Sequence, residues 1–162
     1  ILWALIACNA WRLDAPATAI ADLSFARLRA EYYEWCATEA RAGRHHSPIQ
    51  GFNINMLGTA AEPELKLHGA ETNGMVHFAD VLLARYGAAL PEDRLRHLSV
   101  GLGALLEVLG VVRAYKDLVP PHAVQAFTDA ALRHMRSCAA LGIRYRQKHN
   151  LFLHMGPKLL FN

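Results

Sequence analysis

The stretch PEDRLRHLSVGLGALLEVLGVVRAYKD, Pro91 to Asp117, determines the fold class of this chain. Its apolar residues recur at alternating steps of three and four, which places them on one face of an α-helix. Pro91, Glu92 and Asp93 suit the first turn, because proline needs no amide donor there and carboxylates favour the positive end of the helix dipole. The apolar stripe is Leu95, Leu98, Leu102, Leu105, Leu109 and Val112. We therefore expect a long helix from about Pro91 to Asp117.

Three glycines interrupt this helix, namely Gly101, Gly103 and Gly110. Each weakens a helix by up to about 1 kcal/mol relative to alanine. Either a neighbouring backbone comes close at these positions, or a long and well-packed helix tolerates them. The sequence leaves both interpretations open.

A second helix is predicted after Pro120 and Pro121, and it should end near Gly142. Its apolar stripe is Val124, Phe127, Ala131, Met135 and Cys138. Because the connection between this helix and the leucine-rich helix is short, we expect the two to pack antiparallel.

Two earlier helices are predicted from about Thr18 to Ala42 and from about Thr72 to Tyr86, each followed by a glycine. The first stripe is Ala21, Phe25, Leu28, Tyr32 and Trp35, and the second is Met75, Ala79, Leu82 and Tyr86. Between these helices, about Gly43 to Leu67 has no sustained period, so we expect one long irregular loop that is either functional or poorly ordered. The fold class is therefore all-α, a single bundle of five to six helices.

Composition favours one packed helical domain over residues 1–162, since 53% of the residues are apolar and 19% are charged. The chain begins and ends within apolar segments, so we expect it to be an excerpt of a longer polypeptide. Three dispersed cysteines, Cys8, Cys36 and Cys138, indicate buried thiols in an intracellular protein rather than disulfides. The opening ILWALIAC is too short for a membrane span, and no membrane partner is expected. Oligomeric state is left open.

The C-terminal octet KHNLFLHM contains His149 and His154, which lie five residues apart. On a helix this separation turns the two side chains away from each other by roughly 140°, and on a strand it sends them to opposite faces. The adjacent His45 and His46 could bind a metal only with ligands from elsewhere, and an exposed loop pair is the preferred interpretation. No metal site and no cofactor are therefore expected. Instead, the octet should anchor the C-terminal end of the chain.

Positive charge accumulates at the same end of the chain, where no acidic residue follows Asp129. Phosphate groups of nucleic acid are the partners that such a field would attract. The candidate contacts are Arg133, Arg136, Arg144, Arg146 and Lys148. The alternative is a solvated face whose acidic partners lie elsewhere in the fold.

The segments ELKLHGAETNGMVHFADVLLARYG and KHNLFLHM resemble the helical region of eukaryotic transposon-derived proteins related to Asp/Asp/Glu transposases. The resemblance covers about Glu64 to Phe161. Its motif positions are Lys66, Gly69, Ala70, Glu71 and Thr72, followed by Arg146, Lys148, His149, Leu151, Phe152, Leu153 and His154. Asn150 stands where the family pattern often has another histidine, which argues against a paired-histidine function. The resemblance implies a helical insertion into an RNase-H-like core whose final catalytic carboxylate lies beyond this chain.

Three classes of function are compatible with these features. The preferred one is a non-catalytic helical region of a mobile-element protein that positions the remainder of the parent protein or contacts DNA. That role implies an intracellular setting that includes the nucleus. The second is a helical protein-interaction module unrelated to transposition. A histidine-based metalloenzyme would require some of His45, His46, His68 and His77 to converge with a carboxylate such as Glu71 or Asp80.

Overall fold

The computed structural model describes residues 1–115 and 119–142, and in these ranges it confirms the all-α fold. Five α-helices and no strand occur there. They are α1 (Leu2–Ala7), α2 (Ala17–Arg41), α3 (Gly69–Tyr86), α4 (Glu92–Ala114) and α5 (Pro121–Ala140), with short 3-10 helices at Ile54–Leu57 and Gly87–Ala89. The four helices predicted from periodicity all form close to their expected bounds. The octet KHNLFLHM lies outside the described residues.

The chain divides into two compact units, residues 1–95 (unit 1) and residues 96–162 (unit 2). Unit 1 contains the first three helices and the long loop. Unit 2 contains most of α4 and all of α5. A single helical domain over the whole chain stays a prediction.

The core of unit 1 forms where the apolar stripes of α2 and α3 lie, as their periodicity predicts. Phe25, Leu28 and Tyr32 of α2 are buried, and so are Met75 and Leu82 of α3. Tyr32 packs edge-on against Phe78 of α3 and against Phe52 of the loop. Edge-to-face aromatic pairs add to the free energy gained from apolar burial.

The loop between α2 and α3 is irregular as expected, apart from its 3-10 helix. Buried apolar side chains and hydrogen bonds attach it to the rest of unit 1. Ile49, Phe52 and Leu57 are buried in the core. Tyr33 Oη donates to the carbonyl oxygen of Ile49 at 2.8 Å, and Trp3 Nε1 donates to that of Leu57 at 2.8 Å. The loop therefore contributes to the core of unit 1.

In unit 2, α4 and α5 pack antiparallel, which confirms the prediction. Gly101 faces Ser137, whereas Val108, about two turns further along α4, clusters with Ala130, which lies earlier in α5. A Cβ atom on Gly101 would lie 3.0 Å from the Cβ of Ser137. Gly101 is thus a point of close approach, although to a side chain rather than to the backbone.

Two residues of the predicted stripes were placed wrongly, because Met135 is 47% exposed and Val112 is 38% exposed. Small residues take part in the described contacts between the helices, because Gly101 faces Ser137, and Val108 clusters with Ala130 and Ala131. Small side chains allow two helices to approach closely, so the line of contact follows them rather than the largest apolar residues. Leu98 and Leu102 of the predicted stripe are buried, as expected.

On length and composition alone, α4 is the one helix within residues 1–115 and 119–142 that could cross a membrane. Core helices of water-soluble proteins pass the same test.

Candidate nucleic-acid interface and polar clusters

The candidate phosphate contacts in the described part of unit 2 are the two arginines of α5, and they differ in their surroundings. Arg133 forms an ion pair with Glu107 of α4. Arg136 is exposed one turn closer to the C-terminal end of α5. An acidic partner therefore exists for Arg133, as the solvated-face interpretation requires. Arg144, Arg146 and Lys148 lie outside the described residues.

The boundary between the two units also separates the charges of the chain. Unit 1 has eight Lys and Arg residues and eleven Asp and Glu residues, which gives a net charge of −3. Unit 2 has nine Lys and Arg residues and three Asp and Glu residues, which gives a net charge of +6. The overall charge of +3 thus conceals one acidic and one basic unit.

The motif positions of the resemblance that the structure describes surround the start of α3. Glu71 Oε2 accepts a hydrogen bond from the backbone nitrogen of His68 at 3.0 Å, so this carboxylate caps the helix. Gly69, Ala70 and Thr72 belong to the first turn, and Lys66 is exposed and lies 3.8 Å from Glu64. The cap gives Glu71 a structural role. The other motif positions, Arg146, Lys148, His149, Leu151, Phe152, Leu153 and His154, lie outside the described residues.

Two of the four histidines considered for a metalloenzyme do come together in unit 1. The His46 ring stacks on Trp35 of α2 with the centroids 4.6 Å apart, and it lies 5.7 Å from the His77 ring of α3. The prediction of an exposed loop pair is therefore wrong for His46, whose side chain is 12% exposed, although His45 is exposed. The ring of Trp35, which belongs to α2, covers the ring of His46.

The carboxylate beside His46 is Glu39 of α2, and neither Glu71 nor Asp80, the two examples considered for a metalloenzyme. Glu39 Oε2 lies 3.5 Å from His46 Nε2. Both Glu39 oxygens also accept hydrogen bonds from Arg44, each at 2.6 Å. The hydrogen bonds from Arg44 lower the pKa of Glu39 to about 2. Within residues 1–115 and 119–142, no group of three or more His, Cys, Asp or Glu residues is arranged to hold a metal ion.

Unit 1 also contains a buried carboxylate that was not predicted from the sequence. Glu31 of α2 is 5% exposed. Its Oε1 accepts hydrogen bonds from Trp11 Nε1 at 3.0 Å and from Tyr86 Oη at 2.7 Å. Arg27 donates to Oε1 and Arg85 donates to Oε2, both at 3.1 Å. Four donors, from the segment before α2, from α2 and from the end of α3, thus satisfy one charge, which indicates a structural role.

A histidine and a cysteine lie one turn apart on α5 and contact each other. His134 Nδ1 lies 2.8 Å from the carbonyl oxygen of Gly101 on α4. A carbonyl oxygen only accepts hydrogen bonds, so Nδ1 carries the proton. Nε2, the other ring nitrogen, lies 3.6 Å from the Sγ of Cys138. The i, i+4 spacing of His134 and Cys138 was visible in the sequence, but Cys138 was interpreted as part of an apolar stripe.

Comparison with protein families, with curated proteins and with solved structures finds no match to this chain.

Proposed function

We propose that this chain is a non-catalytic helical region of a mobile-element protein related to transposases, in which unit 2 contacts the phosphates of nucleic acid. The observation that carries the proposal is the division of charge at the unit boundary, with +6 in unit 2 and −3 in unit 1. Phosphate contacts release condensed counterions, so a cationic unit gains free energy from a nucleic acid whatever its base sequence.

The two arginines of α5 support a phosphate contact at the C-terminal end of this helix, past the ion pair that α5 forms with α4. Glu107 neutralises Arg133, whereas Arg136 is exposed at the end of the helix that leads into the cationic sequence IRYRQK. The next cations along the chain are Arg144, Arg146 and Lys148. The strongest contribution to phosphate binding is therefore assigned to these three residues together with Arg136.

The test measures binding of a fluorescent duplex of arbitrary sequence at several salt concentrations. Replacing Arg144, Arg146 and Lys148 together with alanine should weaken binding. The slope of log affinity against log salt should become shallower by up to about three units, because each lost phosphate contact removes about 0.9 of a unit.

A matched control removes three cations from unit 1, namely Arg29, Arg41 and Lys66, all of which are exposed. Both triple variants lower the net charge of the chain by the same amount, so an effect of net charge alone would change both slopes equally. We expect the slope of log affinity against log salt to change only for the unit 2 variant. Equal loss in both variants, or a parent chain that does not bind at low salt, would contradict it.

Two further observations test the mobile-element origin and the non-catalytic role. The reading frame on either side of this chain should encode a strand-rich core with spaced Asp, Asp and Glu residues. The isolated chain should show neither nuclease nor hydrolase activity, with or without divalent metal. Turnover that disappears on mutation of one of its own histidines would overturn the non-catalytic assignment.

A protein-interaction module is the second candidate, and exposed apolar side chains in unit 2 favour it. They are Val100, Val112, Leu132 and Met135, each between 38% and 48% exposed. If self-association is their role, sedimentation velocity should show a concentration-dependent dimer that the Leu132→Ser and Met135→Ser double variant abolishes. A monomer at all concentrations, together with salt-dependent DNA binding, would favour the first candidate.

A further inference from the structure

We infer that His134 and Cys138 are the two protein ligands of a binding site on α5 for zinc or a similar divalent cation. Imidazole nitrogen and thiolate sulfur are the ligands that zinc prefers. One turn of helix separates the two residues, which brings both side chains to the same face. This inference is independent of the proposed contact with nucleic acid.

The distance between the two ligand atoms agrees with joint coordination of one ion. Zinc binds sulfur at about 2.3 Å and nitrogen at about 2.0 Å, and a tetrahedral angle between these bonds places the two ligand atoms about 3.5 Å apart. The observed distance from Nε2 to Sγ is 3.6 Å. A cation could therefore replace the thiol proton with little movement of either side chain.

The other nitrogen of the ring has the partner that a metal-binding histidine usually has. Metal-bound histidines commonly donate their second N–H group to a carbonyl or carboxylate oxygen, which fixes the tautomer and the orientation of the ring. His134 Nδ1 has such a contact with Gly101 of α4, at 2.8 Å. Nε2 is thereby presented as a ligand before any metal arrives.

The thiol must lose its proton when the cation binds. The S–H group can donate to Nε2 across the observed 3.6 Å. Metal binding replaces this proton and releases it to the solvent. Two protein ligands leave two tetrahedral positions for water or for further donors.

Cobalt(II) serves as the spectroscopic probe, because a thiolate ligand produces a charge-transfer band that nitrogen and oxygen ligands do not. The parent chain should develop this band, and zinc should remove it by competition. Cys138→Ser should abolish the band. His134→Asn should weaken binding by more than the roughly tenfold that follows the loss of an outer-shell partner, because it removes one of the two protein ligands. Asparagine keeps an N–H donor for the Gly101 carbonyl while removing the nitrogen ligand.

Cys8→Ser is the matched control, since it removes a thiol whose contact is the Leu5 carbonyl at 3.4 Å. It should leave the band intact. A second measurement needs no variant: zinc should slow alkylation of Cys138 in the parent chain more than alkylation of Cys8. The absence of a thiolate band at millimolar cobalt, its persistence in Cys138→Ser, or equal protection of both cysteines would overturn the inference.

Discussion

The carboxylate of Glu31 should be the most important polar group for the stability of unit 1. Its side chain is 5% exposed and accepts hydrogen bonds from four donors. The two arginine partners are 61% and 57% exposed, so solvent can compensate them when the carboxylate is removed. Trp11 and Tyr86 are less exposed, and their donors would be left without this acceptor.

The magnitude follows from these differences in exposure. Each polar group left unsatisfied costs about 1 to 3 kcal/mol when fully buried, and the partly buried Trp11 and Tyr86 belong at the lower end of that range. The two exposed ion pairs add at most about 1 kcal/mol each. We therefore expect Glu31→Ala to lower the free energy of unfolding of unit 1 by about 2 to 4 kcal/mol. Glu31→Gln keeps one acceptor oxygen and should cost about half as much.

Urea unfolding followed by tryptophan fluorescence measures this change specifically. All three tryptophans of the chain, Trp3, Trp11 and Trp35, lie in unit 1. Glu34→Gln is the matched control, since Glu34 is an exposed carboxylate on the same helix and its replacement should change stability by less than about 0.5 kcal/mol. A loss below about 1 kcal/mol for Glu31→Ala would show that Trp11 and Tyr86 do not depend on this carboxylate.

Three other perturbations test the packing and the charge of the helices. Leu98→Ala should destabilise unit 2 by about 2 to 5 kcal/mol because Leu98 is buried, whereas Val100→Ala should cost less than about 1 kcal/mol because Val100 is 48% exposed; hydrogen exchange of α4 measures both. Gly103→Ala should stabilise α4 by up to about 1 kcal/mol, since no atom lies within 4 Å of the added methyl group, whereas Gly101→Ala meets Ser137 and should gain nothing; equal thermal shifts would contradict this. The pKa of Glu39 is lowered from 4.5 to about 2, so its contribution to stability is complete above the ordinary pKa and is lost as the pH falls towards the lowered one. The stability difference between the parent and Glu39→Gln should therefore shrink over this pH range, and a constant difference would argue against the ion pair.

Local signals made the helices predictable from the sequence. Leucine spacing, the acidic first turn after Pro91 and the prolines before α5 are properties of neighbouring residues, and they specify where a helix starts and which face is apolar. The antiparallel arrangement of α4 and α5 followed from their short connection. Met135 was placed wrongly because the line of contact depends on where small residues of both helices meet, and one helix alone does not contain that information.

The polar clusters were harder to predict because their members come from distant parts of the chain. Glu31 resembles a solvated helix residue until Trp11, from before α2, and Tyr86, from the end of α3, close over it. His46 is covered by Trp35, which belongs to a different element. By contrast, the pairing of His134 with Cys138 follows from helical spacing, whereas the Gly101 carbonyl that orients the ring depends on helix packing.

We expect the basic unit 2 to contact nucleic acid and the acidic unit 1 not to contact it. The most direct measurement follows the backbone amide chemical shifts of the isotopically labelled chain during titration with a short DNA duplex at low salt. The chemical-shift changes should concentrate in residues 96–162, including the amides around Arg136, and added salt should reverse them. Shifts concentrated in residues 1–95, or none at low salt, would contradict it.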